Sequence, residues 1–274
     1  MHYAKSGTGP ATVFLHGIAS DGRLWNDVVS WVSAELTCIV VELLGQGGVP
    51  SDGDYRLSFD RCVRELEELR ETLGHAEWNL VGHDVGSTIA VLYAGAHPDR
   101  VRSLCLCSGP VVPDFRPPAI FRPLRMAGLG DCIGPLAVPL IWRFVIPLAF
   151  KRRDAAARRA VAEFRAPFRG WRGSRGFVQL LRWGDPKDIM GRTGRILMSL
   201  DCPVLVIHGR NDPAIPLRFA AEAASLAPRG ALQVMDARHF LPIDEPALLS
   251  EHLQSFLRQR HTVDRGRHAL SSSG

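Results

Sequence analysis

The pentapeptide Gly82-His83-Asp84-Val85-Gly86 lies between an apolar run, Trp78 to Val81, and a stretch of small and apolar residues, Ser87 to Ala96. The first reads as a buried strand and the second as a buried helix. Turning from strand to helix within five residues needs glycine on both sides, because a side chain there would meet the returning backbone. The result is a sharp elbow that presents its central residue, and the usual occupant is serine. Here the centre is Asp84. A carboxylate is a poor acylating nucleophile, but it displaces a leaving group from saturated carbon and forms an alkyl ester. A chain that does this must then hydrolyse its own ester.

Other apolar runs follow the same plan. Strand candidates are Thr12–Leu15, Cys38–Leu43, Trp78–Val81, Ser103–Cys107, Val204–His208 and Leu232–Met235. Amphipathic stretches separate them, such as Phe59–Leu73, where Val63, Leu66, Leu69 and Leu73 recur at helical spacing. Strand–helix alternation predicts a mostly parallel, doubly wound α/β sheet with its ligand site at the strand C-termini. The expected core is 1–110 with 201–261. Between them, 111–200 has no parallel-strand run and carries helical pieces: Leu124–Leu129, Leu140–Phe150, Ala155–Phe164, Gly176–Trp183 and Ile196–Leu200. We expect an inserted helical cap there. The tail 262–274 ends in three serines and a glycine, and we expect disorder. The first strong run starts only about ten residues in, so a strand ahead of the short Met1–Lys5 segment is expected to be absent from one sheet edge, which would favour a homo-oligomer.

Composition sets limits on function. The chain has 274 residues, 46% hydrophobic and 22% charged, with net charge +5 and pI about 9.1. The basic excess gathers at Lys151-Arg152-Arg153 with Arg158 and Arg159, and at Arg258, Arg260, Arg265 and Arg267. It has no interleaved aromatics or nucleic-acid module, so solvated faces are the expectation and nucleic acid is not an expected partner. Six cysteines fall mostly in apolar runs, without zinc spacing. With no apolar leader at Met1–Lys5, they suggest a reduced, cytoplasmic protein without metal or cofactor. Cys132–Phe150 is almost wholly apolar but holds Pro135, Pro139, Pro147 and Arg143. Such a segment makes a poor membrane span, and we expect broken helices lining a pocket instead of stable insertion.

Five landmarks stand in register. His16-Gly17-Ile18 follows the first strong strand, and Gly45-Gln46-Gly47 the second. The elbow is third. Gly209-Arg210-Asn211-Asp212-Pro213 follows Val204–His208, and His239 follows Leu232–Met235. In this order the chain resembles the α/β-hydrolase fold over nearly its whole length, and the nucleophile–acid–histidine order is that of the fold. The resemblance implies Asp84 as nucleophile, His239 as general base and Asp212 as the group that orients it. The backbone N–H groups of Ile18 and Val85 would form the oxyanion hole. Taken singly, Asp84 could be a helix cap, Asp212 a turn residue and His239 a surface histidine; their register favours the functional reading. His16, His83 and His208 read as structural, and Asp244-Glu245 before Pro246 as a turn and helix start.

Two families of this fold carry an elbow aspartate, the epoxide hydrolases and the haloalkane dehalogenases. The first typically protonates its leaving oxygen with cap tyrosines. The second typically holds its halide with a tryptophan just after the nucleophile and a further Asn or Trp. Here Tyr3, Tyr55 and Tyr93 all lie outside the cap, and Val85 follows Asp84. Trp142, Trp171 and Trp183 lie in the cap and could offer an indole N–H to the leaving group, although packing is the commoner use of tryptophan. Trp25 reads as packing. We expect opening of an epoxide on a small lipophilic substrate, with halide displacement as the alternative. Two further readings stay open. One is a specialised biosynthetic enzyme (lactone hydrolysis, elimination or rearrangement) with Asp84 as base, and the other is a protein that only binds a hydrophobic ligand.

Overall fold

The apolar runs pair into one sheet. The structure is a computed structural model that describes residues 1–43 and 56–271, with side chains through Arg258. The Gly45-Gln46-Gly47 turn and Tyr55 lie outside the described residues. The strands are β1 (His2–Ser6), β2 (Ala11–Leu15), β3 (Thr37–Glu42), β4 (Trp78–His83), β5 (Val101–Cys107), β6 (Val204–Gly209) and β7 (Gly230–Met235). Their spatial order is β1-β3-β2-β4-β5-β6-β7. Every pairing is parallel except β1 with β3, which is antiparallel from His2↔Glu42 to Ser6↔Cys38.

Helices cover both faces. They are α1 (Asn26–Val32), α2 (Phe59–Thr72), α3 (Val85–Ala96), α4 (Arg122–Arg125), α5 (Leu129–Leu140), α6 (Ala155–Arg165), α7 (Gly170–Leu181), α8 (Pro186–Ser199), α9 (Leu217–Leu226), α10 (Leu241–Asp244) and α11 (Pro246–Ser271). Every residue of β2, β4 and β6 is buried. The strands between helical layers therefore carry uninterrupted apolar runs, as a doubly covered parallel sheet requires. The fold is the α/β-hydrolase fold.

Three elements lie outside what the sequence pattern announces. β1 exists although nothing in its pattern announces it. All five residues are exposed, and backbone bonds to β3 alone make it a strand. α11 runs on to Ser271. After Pro246 no proline interrupts it. The expected helix Leu124–Leu129 is instead a break between α4 and α5, set by Gly128 at φ +76°.

All helices from α4 to α8 lie between β5 and β6, within the span expected to be a cap. Pro135 and Pro139 sit inside α5 without ending it. The chain instead changes helix type, to a π turn at Ile141–Val145 and a 3-10 turn at Ile146–Ala149. Leu129–Ala149 is long and apolar enough to cross a membrane by length and composition. It nonetheless buries Gly134, Val138 and Trp142 within its own chain, where a Cβ on Gly134 would lie 2.7 Å from the Val178 side chain of α7. Trp142 stacks on Phe168, with ring centroids 5.8 Å apart, and meets Phe177 edge-on at 5.7 Å.

Trp142 thus anchors the insertion. Trp142→Ala is expected to cost about 3–5 kcal/mol of stability, a fall in Tm on the order of 10 °C. Trp171→Ala, at a site 60% exposed, should cost less than about 0.5 kcal/mol. Thermal unfolding of the two variants checks both values.

Candidate active site

Backbone contact builds the elbow. A Cβ on Gly86 would lie 2.4 Å from the Leu15 carbonyl oxygen, and one on Gly82 would lie 2.5 Å from the Gly86 carbonyl carbon. Only glycine lets β2, β4 and α3 approach so closely. Asp84 holds φ +50° and ψ −124°, a conformation that costs an ordinary residue on the order of 1–3 kcal/mol. Among the described residues the other non-glycine positions at positive φ are Ala19 and Ser108, each past the end of a strand that flanks β4.

The loop after β2 lies directly on Asp84. A Cβ on Gly17 would stand 2.4 Å from the Asp84 Cβ. This contact brings the Ile18 N–H to Asp84 Oδ2, to which it donates at 2.9 Å. The Val85 N–H also favours the charge of the carboxylate. His16 fixes the loop. The Leu43 N–H donates to its Nε2 at 3.0 Å, so its Nδ1–H donates to the Gly17 carbonyl at 3.1 Å.

Parallel strands bring the other two groups to the same sheet edge. After β6, Asp212 Oδ1 accepts from the Ala214 and Ile215 N–H groups at 2.8 and 3.0 Å. Its Oδ2 accepts from His239 Nδ1 at 2.9 Å. His208 supports this loop by donating from Nε2 to the Ile215 carbonyl at 2.8 Å. After β7, the His239 N–H donates to the Ala149 carbonyl at 3.0 Å. The His239 carbonyl accepts from His83 Nε2 at 2.9 Å. His16, His83 and His208 are thus buried positioning groups, as the sequence suggests.

Burial acts on every charge here. It pushes the Asp84 carboxyl above the usual carboxylate range, against the pull of His239 and of the Ile18 and Val85 N–H groups. It also pushes Asp212 up, but His239 more than offsets this, and Asp212 falls to about 2. Burial pulls the His239 ring down. The charge of Asp212 and its hydrogen bond, with the charge of Asp84, outweigh that and raise the ring to about 9. His83, buried without a carboxylate partner, drops to about 3 and stays neutral. These shifts favour an imidazolium at His239 beside ionised Asp212.

Asp84, Ile18, Val85 and His239 all line one cavity. Its other walls are apolar and come from both parts of the chain: Ala214 and Ile215 from the loop after β6, and Phe115, Val145, Ile146 and Phe177 from the insertion. Among the described lining residues, Asp84, His239 and Trp183 alone carry polar side-chain atoms. Of the three cap tryptophans, only Trp183 reaches the cavity. Trp142 is packed inside the insertion and Trp171 points to solvent, which removes both as substrate contacts in this structure. Trp25 is buried against Phe14.

Asp244 has a larger part than a turn residue. It is buried, and its Oδ1 accepts from the Lys151 and Arg152 N–H groups at 2.9 and 3.2 Å. Its Oδ2 accepts from the Arg238 N–H at 3.0 Å, tying the end of the apolar segment to the residue before His239. Its place before Glu245-Pro246 hides this, because Lys151 and Arg152 are distant in sequence. No group of three or more His, Cys, Asp or Glu among the described residues is placed to hold a metal ion.

A family model described as alpha/beta hydrolase fold matches residues 10–246. A haloalkane dehalogenase from Mesorhizobium japonicum is 28% identical, over 94% of this chain and 87% of that protein. Epoxide hydrolase 1 from Caenorhabditis elegans is 21% identical, over 94% and 68%. The crystal structure of the haloalkane dehalogenase DbeA from Bradyrhizobium elkani superposes with a TM-score of 0.81 at 24% identity, covering 95% of this chain and 94% of that one. At that identity the superposition speaks for the fold alone.

The charge set makes a direct prediction. Asp84→Asn removes one of the two carboxylates that hold the His239 proton. The His239 ring, about 9 in the wild type, is expected to titrate at lower pH in the variant. Histidine ring NMR over a pH series reads the change, and an unmoved titration would mean that the two side chains are not coupled.

Proposed function

The chain belongs to the α/β-hydrolase fold family and is a hydrolase, and from that premise we propose that it forms and hydrolyses an alkyl ester on Asp84, opening the epoxide of a lipophilic substrate to a diol. The observation that carries the reading is the placement of the Asp84 carboxylate. It stands at the tip of the elbow, in an apolar cavity, with His239 and the oxyanion donors beside it.

Ile18 N–H already holds Oδ2, which leaves Oδ1 as the attacking atom. Attack on a ring carbon breaks its C–O bond and makes an alkoxide. An alkoxide needs a proton, and the described lining offers it no tyrosine. The imidazolium of His239 is the acid at hand. Once it has given its proton it is neutral, and the Asp84 charge that favoured the imidazolium has gone into the ester. Neutral His239 then takes a proton from water as that water attacks the Asp84 carbonyl carbon. Ile18 and Val85 N–H groups stabilise the oxyanion on Oδ2, worth roughly 3–4 kcal/mol per donor in other hydrolases. Collapse releases the diol and restores carboxylate and imidazolium. Asp212 stays ionised throughout and orients the ring.

Halide displacement is the second reading. Trp183 supports it, as the one indole at the cavity, and so do the dehalogenases among the relatives. A halide needs no proton, so the two reactions separate by pH. Ring opening requires ionised Asp84 and protonated His239. Ester formation from an epoxide should therefore fall as pH rises through about 9. It should also fall at low pH, where Asp84 gains a proton above the usual carboxylate range. Ester formation from a haloalkane should persist above pH 9. Single-turnover rates across the pH range decide this.

The ester from a haloalkane is expected to accumulate in His239→Gln, which lacks the base that hydrolyses it, whereas the ester from an epoxide, whose opening needs the His239 proton, is expected in wild-type protein quenched within a single turnover. Intact-protein mass spectrometry after exposure to bulky epoxides and haloalkanes reads its identity. Ring opening adds the whole mass of the epoxide, and halide displacement adds the haloalkane less HX. Either adduct must vanish in Asp84→Ala. An adduct that survives there, or none from any substrate of the panel, would count against Asp84 as nucleophile.

A further inference from the structure

Charge is divided unequally along the chain. Residues 111–200 hold 17 Lys and Arg against 6 Asp and Glu, net +11, whereas the rest holds 16 against 22, net −6. The modest overall charge of +5 conceals this. The same insertion carries most of the exposed apolar surface. Seven of the twelve exposed large apolar side chains among the described residues fall between Ile120 and Leu148. Leu136, Leu140, Phe144 and Leu148 recur every four residues and are 50–78% exposed. That spacing sets them on one face of the α5 segment and its continuation.

Cations stand among these side chains. Arg143 lies over the Phe144 ring at 5.4 Å and is exposed. Arg122 is exposed in α4. Neither forms an ion pair among the described residues. Beyond the stripe, Pro147 and Phe150 share a groove with Arg152, Arg153 and Arg158. An exposed apolar stripe edged with arginine is the pattern of a surface that lies in a membrane interface.

We propose that this face of the insertion docks on an anionic lipid bilayer surface, with the cavity mouth turned toward the lipid. The cavity supplies the second argument. Ile120 and Leu148 belong both to the exposed face and to the cavity lining, so among the described residues the apolar walls run out onto the docking face without a polar rim between them. A lipid-dissolved substrate would enter without crossing water. The segment itself does not span the bilayer, because its other side is buried in its own chain and builds the cavity wall. A second copy of the chain is a poor occupant. A twofold contact on this face would set one insertion of net charge +11 against another. The docking is independent of which bond the site breaks.

Sedimentation with vesicles tests the proposal without any substrate. The protein is expected to bind vesicles of phosphatidylcholine mixed with phosphatidylglycerol far better than phosphatidylcholine alone, and to release in high salt. Arg122→Glu with Arg143→Glu should weaken binding at least about 25-fold, roughly fivefold for each lost cation near the surface. Leu140→Glu with Phe144→Glu should abolish it. These positions are solvent-exposed, and unchanged circular dichroism and Tm would show that both variants fold. Absence of wild-type binding to the mixed vesicles, or equal binding by the variants, would overturn the proposal. So would a wild-type dimer in light scattering that Leu140→Glu with Phe144→Glu converts to monomer. The mass-spectrometric adduct on Asp84 is read without vesicles, so failure of the docking and failure of the proposed chemistry are seen separately.

Discussion

A carboxylate in an apolar cavity is stable only while other groups offset its charge. Leaving Asp84 ionised and alone would cost more than the whole margin by which a domain of this size stays folded. Two kinds of offset are built in. The Ile18 and Val85 N–H groups point at the carboxylate, and the imidazolium of His239 stands near it. His239 in turn holds its proton against burial because Asp212 is ionised and bonded to Nδ1. Each member of the set thus depends on the others. The glycine contacts at 17, 82 and 86 serve this arrangement, since they fix how far the loop after β2 stands from the elbow.

The parallel sheet delivers these groups to one edge, but it does not orient them alone. The Ala149 carbonyl, at the end of the insertion's apolar segment, accepts from both the His239 and Phe240 N–H groups. Asp244 binds Lys151 and Arg152 on one side and Arg238 on the other. The insertion therefore helps to hold His239 in place besides lining the cavity. A shift of the Leu129–Ala149 segment would be felt directly at His239. Occupation of the cavity under the insertion and the position of His239 are in this sense one problem.

The site was legible in sequence where a residue's place follows from a strand end. Asp84, Asp212 and His239 each follow an apolar run, and parallel pairing must bring such positions together. The same rule does not reach the insertion. Trp142 and Trp183 look alike in sequence, yet one packs against Phe168 and Phe177 and the other faces the cavity. Which face of an apolar helix turns inward depends on its partners. Pro135 and Pro139 suggested a broken helix, but the break takes the form of a π turn just after them. Asp185-Pro186 is a cap and first-turn signal that would have placed the start of α8, where only its last turn was expected. β1 left no pattern because neither of its faces is buried. The Asp244 clamp joins residues more than ninety positions apart, which no local pattern reports.

An apolar cavity with so few polar atoms constrains selectivity as well as chemistry. Hydrogen bonds to a substrate's hydroxyl or amide discriminate strongly, because a missing partner leaves a buried polar group unpaired. The described walls offer no such reader apart from the reacting groups and the Trp183 indole. Recognition must then rest on shape and on burial of apolar area, where one methylene is worth only about 1–3 kcal/mol. Selectivity would come from what reaches the cavity and from the bond that Asp84 can break. A mouth whose rim is continuous with an apolar, arginine-edged face restricts the first of these, since the phase that the face contacts determines which molecules arrive. Lipophilic walls, a donor-poor interior and a positively charged insertion are in that view parts of one physical specification.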